Sequence, residues 1–406
     1  MRARKVAVAV AGAAAILLAL IAAVAPGSDG ARSAGSSPGG RAAGGGRPQG
    51  TLMGQYTLTG VSCASSAACA AVGEIAYAHR VAPAVLRWNG KTWRAQHAVN
   101  PPARGGGMLA AVSCARPNDC IAVGARGGDQ GTLAERWNGK TWSIQPTPLS
   151  QTNAQLNAVA CSSPVACTAV GDRLMSKPAN VVTVAMRWNG KRWALQSTPN
   201  SPTAESELFS VSCPAVTACT AIGAKMSVPG AGQSAVLAAQ WNGQAWKLEP
   251  VPAPAGGPGR MRSVACASAT YCVAVGVNYA NQGMARQRPA SVVWDGSSWK
   301  LAPVPYPQQA TDAGLSGVNC TAATSCTAVG NYTPGPRGGQ TMADRWDGAS
   351  WTRQDSATPP GFRVVYLSSV ACPASRACIA VGVKGQQHHT LAERWDGAAW
   401  AITPTP

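Results

Sequence analysis

Leu86, Trp88 and Trp93 alternate with Arg87 and Thr92 around the dipeptide Asn89-Gly90. Alternation of apolar and polar residues puts the apolar set on one face of an extended chain. Asn-Gly between two such runs is a strong hairpin signal, because a two-residue type I′ loop needs φ > 0 at both positions. The segment therefore predicts two short antiparallel strands, with Trp88 opposite Lys91, Arg87 opposite Thr92 and Leu86 opposite Trp93. Both Trp fall on one face. The pattern returns along the chain as RWNGKTW from Arg136, RWNGKRW from Arg187, QWNGQAW from Gln240, VWDGSSW from Val293, RWDGASW from Arg345 and RWDGAAW from Arg394. These seven copies use all 14 Trp of the chain, two in each.

A second pattern keeps step with the first. VSCASSAACAAVG (Val61–Gly73) recurs in seven forms, each holding one C-x5-C pair, and together they use all 14 Cys. The mean spacing between copies is about 51 residues, a period that marks a repeat architecture. Each unit reads as four short strands: one ending at the first Cys, one starting at the second, one ending at the first Trp, and one running from the second Trp to a Pro-rich exit. A single such sheet cannot bury its Trp pair. Stacking in a ring buries both faces and leaves only short edges. The first and last units look like the middle ones, whereas an open solenoid would want distinct polar caps. The expected fold is all-β: a seven-bladed β-propeller over residues 51–406, four antiparallel strands per blade. An N-terminal signal or anchor helix and a flexible linker would precede it.

These motifs resemble the kelch and sialidase-type propeller repeats. They are more similar to those of a class of secreted bacterial repeat proteins whose blades carry C-x5-C and W-[ND]-G-x-x-W. The resemblance covers about residues 57 to 406. It lacks the Gly-Gly pair of kelch repeats and the S-x-D-x-G box of sialidases, so it implies a fold and a location and carries no sialidase or oxidase chemistry.

The first residues bear on the compartment. MRARK is a short basic segment, and Val6–Ala25 is apolar and uncharged. Residues 1–25 thus read as an export signal, or as an uncleaved anchor with Arg2, Arg4 and Lys5 on the cytoplasmic side. The best small-residue cleavage pattern, Ala23-Val24-Ala25, is followed by Pro26, which disfavours cleavage there. Residues 26–50 are Gly, Ser, Ala, Pro and Arg with little to bury, and read as a disordered linker. In an exported chain, paired Cys read as disulfides. The expected bridges are Cys63–Cys69, Cys114–Cys120, Cys161–Cys167, Cys213–Cys219, Cys266–Cys272, Cys320–Cys326 and Cys372–Cys378. Zinc is the competing reading, but the spacing is not C-x2-C and the chain has only four His.

No candidate catalytic, metal or cofactor residues emerge. Ser297-Ser298-Trp299-Lys300 matches S-x-x-K only because it overlaps the repeated hairpin. Glu135, Asp344 and Glu393, each before an Arg-Trp, are expected to pair with neighbouring charges on a strand face. His388-His389 reads as part of a solvated loop. The connections vary in a more informative way. Those between the paired Cys and between the paired Trp keep their length, whereas the second-to-third and fourth-to-first connections do not. In a meandering blade, alternate connections share a rim, so one face of the disc is constant and the other variable.

The chain carries a net +18, and 28 basic against 15 acidic residues follow Gly50, a net +13. Much of it lies in the variable connections: Arg80, Arg104, Arg126, Arg173, Lys177, Lys225, Arg260, Arg262, Arg286, Arg288, Arg337, Arg363 and Lys384. Arg260, Arg262, Arg286 and Arg288 belong to one blade or its entry and are the candidate binding residues. A basic extracytoplasmic face suggests a non-enzymatic binding or scaffold propeller at the cell envelope, meeting an anionic wall polymer, a glycan or a protein. The alternative is a secreted polysaccharide hydrolase or lyase, which a clustered acid–base pair at the central opening would favour. Nucleic acid is not expected, since the basic residues lack aromatic interleaving in the sequence. Membrane contact is expected only through an uncleaved N-terminal segment, and the expected state is a monomer.

Overall fold

The computed structural model describes residues 55–406, apart from 78–79, 103–104, 128–130, 177–178, 201–203, 228–233, 254–258, 280–285 and 336–337. The expected signal or anchor segment and linker, as well as Arg104, Lys177 and Arg337, lie outside the described residues. No helix among the described residues is long and apolar enough to cross a membrane.

Among the described residues, twenty-eight strands form seven separate four-stranded sheets, each in sequence order and antiparallel throughout. The chain is a seven-bladed β-propeller. The blades span 55–96, 107–144, 154–196, 204–249, 259–301, 312–354 and 365–402. In blade 1 the strands run Gln55–Ser65 (inner), Ala68–Ala76, Val81–Trp88 and Trp93–Gln96 (outer). Among the described residues no strand is shared between blades 7 and 1, which meet by packing. Leu58, Leu86 and Trp88 share one core cluster with Ala371, Ile379 and Val381. Val61 N–H donates to Ser369 Oγ (3.3 Å), and Trp93 Nε1 to Thr403 Oγ1 (3.3 Å), across the same seam.

The inner strand is the free edge of each blade, so its backbone groups need partners outside the sheet. Neighbouring blades supply them. Cys114 N–H donates to Ser62 Oγ (2.9 Å), Cys161 N–H to Ser113 Oγ (3.0 Å), Cys266 N–H to Ser212 Oγ (3.0 Å) and Cys372 N–H to Asn319 Oδ1 (3.2 Å). The residue before the first Cys is thereby explained: where it is polar, it stitches its own blade to the next.

Each inner strand also carries a one-residue bulge. In blade 1 Leu58 pairs with Gly73 and Gly60 with Val72, leaving Thr59 unpaired. The second strand passes so close to this region that a Cβ on Gly73 would lie 1.8 Å from the Thr57 carbonyl oxygen. That approach accounts for the glycine ending every A-V-G-type motif, which meets the same obstacle in the other six blades.

The seven expected disulfides are all present and no Cys is free. Each joins the ends of the first hairpin of its blade, with Cα atoms 3.9–4.1 Å apart. Seven such bridges mark an oxidising, extracytoplasmic environment.

The Trp hairpin departs from the expected register. Trp88 lies opposite Trp93, and Leu86 opposite Ala95. The turn therefore has four residues, Asn89 to Thr92, not two. Asn89 Oδ1 accepts from the backbone N–H of Lys91 (3.0 Å) and Thr92 (2.8 Å), while Gly90 takes φ +94°. An Asn side chain that binds the backbone two and three residues on replaces the tight turn. The register moved by two residues, so side-chain parity is kept and both Trp still share a face. The paired rings lie 5.4–5.9 Å apart in all blades.

Asp344 pairs with a neighbouring charge as expected, whereas Glu135 and Glu393 do not. All three are fully buried, and only Asp344 meets a cation, Arg353 Nε at 2.5 Å. Glu135 accepts from Val99 N–H (3.1 Å), and Glu393 from Ser356 Oγ (2.9 Å) and Ala357 N–H (3.3 Å). Glu135 and Glu393 thereby hold the segment leaving the preceding blade. Burial pushes the Glu135 carboxyl up to about 7 despite the hydrogen bond from Val99, and that of Asp344 up to about 6 despite Arg353.

Candidate functional site

The bulges build the central channel. The extra residue of each inner strand is Thr59, Ala110, Asn157, Phe209, Arg262, Ser316 or Ser368. All seven line a cavity of about 290 Å³ on the axis. A repeat otherwise close to uniform thus places six types of side chain at seven equivalent points around the axis. Arg262 is the single charged member.

The rim holding the second-to-third and fourth-to-first connections surrounds one mouth of this channel. The two kinds of connection touch: Val81 N–H donates to the Gly105 carbonyl (3.1 Å). On the opposite rim Trp88 Nε1 donates to the Ser66 carbonyl (3.1 Å), bringing the Trp turn to the Cys hairpin. Variable and constant connections are thereby on opposite faces, as the meander requires.

The four candidate arginines of blade 5 take different directions. Arg260 leans toward blade 4, over the Phe209 ring at 6.0 Å and against Met226 Sδ at 2.8 Å. Arg262 leans toward blade 6. Its Nη2 donates to Gln287 Oε1 (3.2 Å), and its Nη1 lies 4.0 Å from where a Cβ of Gly314 would stand. Burial lowers the Arg262 guanidinium from its ordinary range; the field of Tyr279 opposes this, and that of Arg260 adds to it. Arg286 is exposed, and so is Arg288, whose guanidinium lies 4.9 Å from the Tyr306 ring centroid. The inner-strand bulge explains the split, because an extra residue reverses the side-chain alternation between Arg260 and Arg262.

Aromatic rings accompany these cations, which the sequence spacing did not suggest. Arg80 lies over Tyr77 (5.0 Å) and Lys384 over Phe362 (5.9 Å), besides the Arg260–Phe209 and Arg288–Tyr306 pairs. The chain has only two Phe, and both serve this rim. Such contacts hold cationic side chains in place over a ring face.

The carboxyls around the mouth are withdrawn from solvent. Asp172 is 3% exposed and Glu207 4% exposed, while Glu74, Glu205 and Asp312 are half-buried. Asp172 Oδ1 accepts from Asn157 Nδ2 (2.9 Å) and Gln155 Nε2 (3.1 Å). Asn157 Nδ2 also donates to the Leu208 carbonyl (2.9 Å), which fixes the amide's orientation. Among the described residues, Glu207 has no such donors. Burial, then the charge of Asp172, raises its carboxyl to about 7, and Arg260 opposes them. Burial raises Glu74 as well, and with the charge of Glu74 it raises the Tyr366 phenol.

No protein-family model matches the sequence, and no curated protein matches it. Solved propellers do match in structure. An ulvan lyase of a polysaccharide lyase family, bound to -[GlcA(1-4)Rha3S]-, aligns with TM-score 0.53 at 9% identity, over 86% of this chain and 97% of that one. The β-propeller domain of the Trilobed protease from Pyrococcus furiosus aligns with TM-score 0.50 at 7% identity, again over 86% and 97%. A six-bladed fungal lectin from Aleuria aurantia aligns with TM-score 0.44 at 9% identity, over 76% and 93%. At these identities the likeness is one of fold.

Asp172, Glu207, Glu74 and Tyr366 were not singled out by sequence. A signal for them exists in the repeat itself. Asp172 follows the A-V-G glycine where four other blades carry Ala125, Ala224, Val277 and Val383, and Glu207 occupies the position of Thr57, Met108 and Gln155. Acidic residues at positions that most other copies fill with neutral ones stand out once the blades are laid over one another.

Proposed function

We propose that this chain is a non-enzymatic binding propeller of the cell envelope, which meets an anionic polymer or glycan with its variable face. Residues 1–25 would serve as export signal or anchor and 26–50 as a tether. The observation that carries the reading is the sorting of charge around the channel mouth. Arg80, Lys225, Arg286, Arg288 and Arg363 are exposed, whereas the nearby carboxyls of Glu74, Asp172 and Glu207 are withdrawn and raised toward their neutral forms. An exposed surface so sorted attracts polyanions over a Debye length and binds them through Arg forks.

The second reading, a hydrolase or lyase, draws on the neighbouring carboxyls of Asp172 and Glu207. Against it, both lie at least 96% out of solvent, and Asp172 is occupied by two amides. The test is titration of the chain with a polyuronate and with a neutral glucan across a salt series, with product analysis of the polymer afterwards. Salt-sensitive binding of the polyuronate alone, with the polymer intact, is the expected result. Cleaved polymer would transfer the chain to the enzyme class.

A further inference from the structure

Arg262 occupies a place that no other blade gives to a charge. It is the extra residue of its inner strand, and its six equivalents are neutral. All seven are half-buried, so they keep contact with solvent along the axis. Among the described residues, no Asp or Glu lines the cavity they surround, and Arg262 makes no ion pair. Two acids outside the lining are occupied: Asp172 Oδ1 accepts from the Asn157 amide (2.9 Å), and Asp312 Oδ1 from Gln287 N–H (2.6 Å). A guanidinium has five N–H donors, and the one bond to Gln287 Oε1 leaves others to give. The lining is also rich in hydroxyls. Ser62, Ser113, Ser210 and Ser263 each accept a backbone N–H of the next blade, at 2.9–3.1 Å. A hydroxyl that accepts still has its own proton to donate. Among the described residues, none of the four gives that proton to another protein group.

We propose that this axial cavity holds the terminal sugar of an acidic glycan, with its carboxylate or sulfate on the Arg262 guanidinium and its hydroxyls against the serine hydroxyls. The inference rests on the reading of the variable face as a polyanion surface, and adds that the propeller fixes chain ends rather than chain interiors. The shape of the cavity carries that distinction. Its 290 Å³ stands at the small end of ligand sites, which run from about 300 to 1,000 Å³. Seven inner strands wall it, so it admits one sugar from a mouth and not a chain running past. Arg suits both oxyanions, because its planar fork donates two parallel hydrogen bonds. Phe209, the neighbour of Arg262 in the ring, gives the sugar an apolar wall.

The test is calorimetric titration of the full chain with galacturonic acid, galactose 6-sulfate, galactose and polygalacturonate. One acidic monosaccharide should bind per propeller, about tenfold or more tightly than galactose, as charge-assisted hydrogen bonds to one guanidinium imply. Whichever of the two acids binds identifies the oxyanion. Polygalacturonate should take up at most one propeller per chain end whatever its length, whereas a purely superficial attraction loads more propellers on longer chains. Arg262→Gln should remove the preference for the acid. Ala110→Phe should remove monosaccharide binding by filling the lumen, and the fold can take it because Phe209 already stands at the equivalent place. Thermal midpoints identify any variant that has lost its fold. Monosaccharide binding that survives both Arg262→Gln and Ala110→Phe overturns the proposal. Polymer binding that grows with chain length and falls with Arg286→Ser and Arg288→Ser, without monosaccharide binding, rejects the axial site and leaves the wider reading standing. An acidic monosaccharide held through Arg262, without any polymer binding, supports the site and rejects the polymer. No binding of any acidic probe overturns both.

Discussion

Individual side chains in this propeller act at the seams between blades. Glu135 is the clearest case, since it reaches from blade 2 to the backbone leaving blade 1. Its carboxyl stands near 7 in the fold against about 4.5 in the unfolded chain. A raised carboxyl contributes stability below its unfolded value, and that contribution is lost as pH rises toward 7. Thermal unfolding should therefore show the chain losing stability between pH 4.5 and pH 7, with Glu135 responsible for on the order of 2–3 kcal/mol. Glu135→Gln should flatten the profile; an unchanged slope would mean that the carboxyl titrates normally in the fold. Trp142 offers a second check. It is 4% exposed, packs on Trp137 at 5.8 Å and donates from Nε1 to Gln96 Oε1 of the preceding blade (3.0 Å). Trp142→Ala should cost about 3–5 kcal/mol in denaturant unfolding. A loss under about 1 kcal/mol would make the ring a surface platform instead.

At the scale of strands and turns, the repeat made the four-stranded units legible because two motifs mark all four strand ends. The turn after Trp88 was placed two residues out, since Asn-Gly signals both a two-residue loop and the start of a longer one capped by the Asn side chain. The bulge at Thr59 and its equivalents left no compositional trace, because one extra residue in a strand alters neither hydrophobicity nor length in a readable way. That had consequences for the candidate site. Arg260 and Arg262 were legible as charges, but their opposite directions follow from the bulge between them. Asp172 and Glu207 were not legible as neighbours because the blade interface, not the sequence, brings them together. The Cys hairpins give an element-scale prediction. Replacing Cys114 and Cys120 by Ser should cost roughly 2 kcal/mol, since the bridge closes a very short loop whose register the strands already fix. A loss above about 5 kcal/mol would show that the bridge is needed to set the strand pairing itself.

The propeller is a ring closed by packing and hydrogen bonds, with no strand shared between first and last blades among the described residues. Removing residues 154–203, about one unit, leaves six wedges to span the same circle. The variant should fail to give a cooperative unfolding transition, whereas an open stack would lose stability only in proportion. The same ring gives the two rims different work. The constant rim is tied by disulfides, Trp pairs and capped turns, and the variable rim carries exposed cations over aromatic rings. The most direct measurement of this division is amide hydrogen exchange with and without a bound polyuronate. Protection is predicted at the variable rim, around Arg80, Arg126, Arg286–Arg288 and Arg363, with the Asn89–Thr92 turn and its six equivalents unchanged. Protection confined to those turns and the Cys hairpins, with the variable rim untouched, would contradict the account.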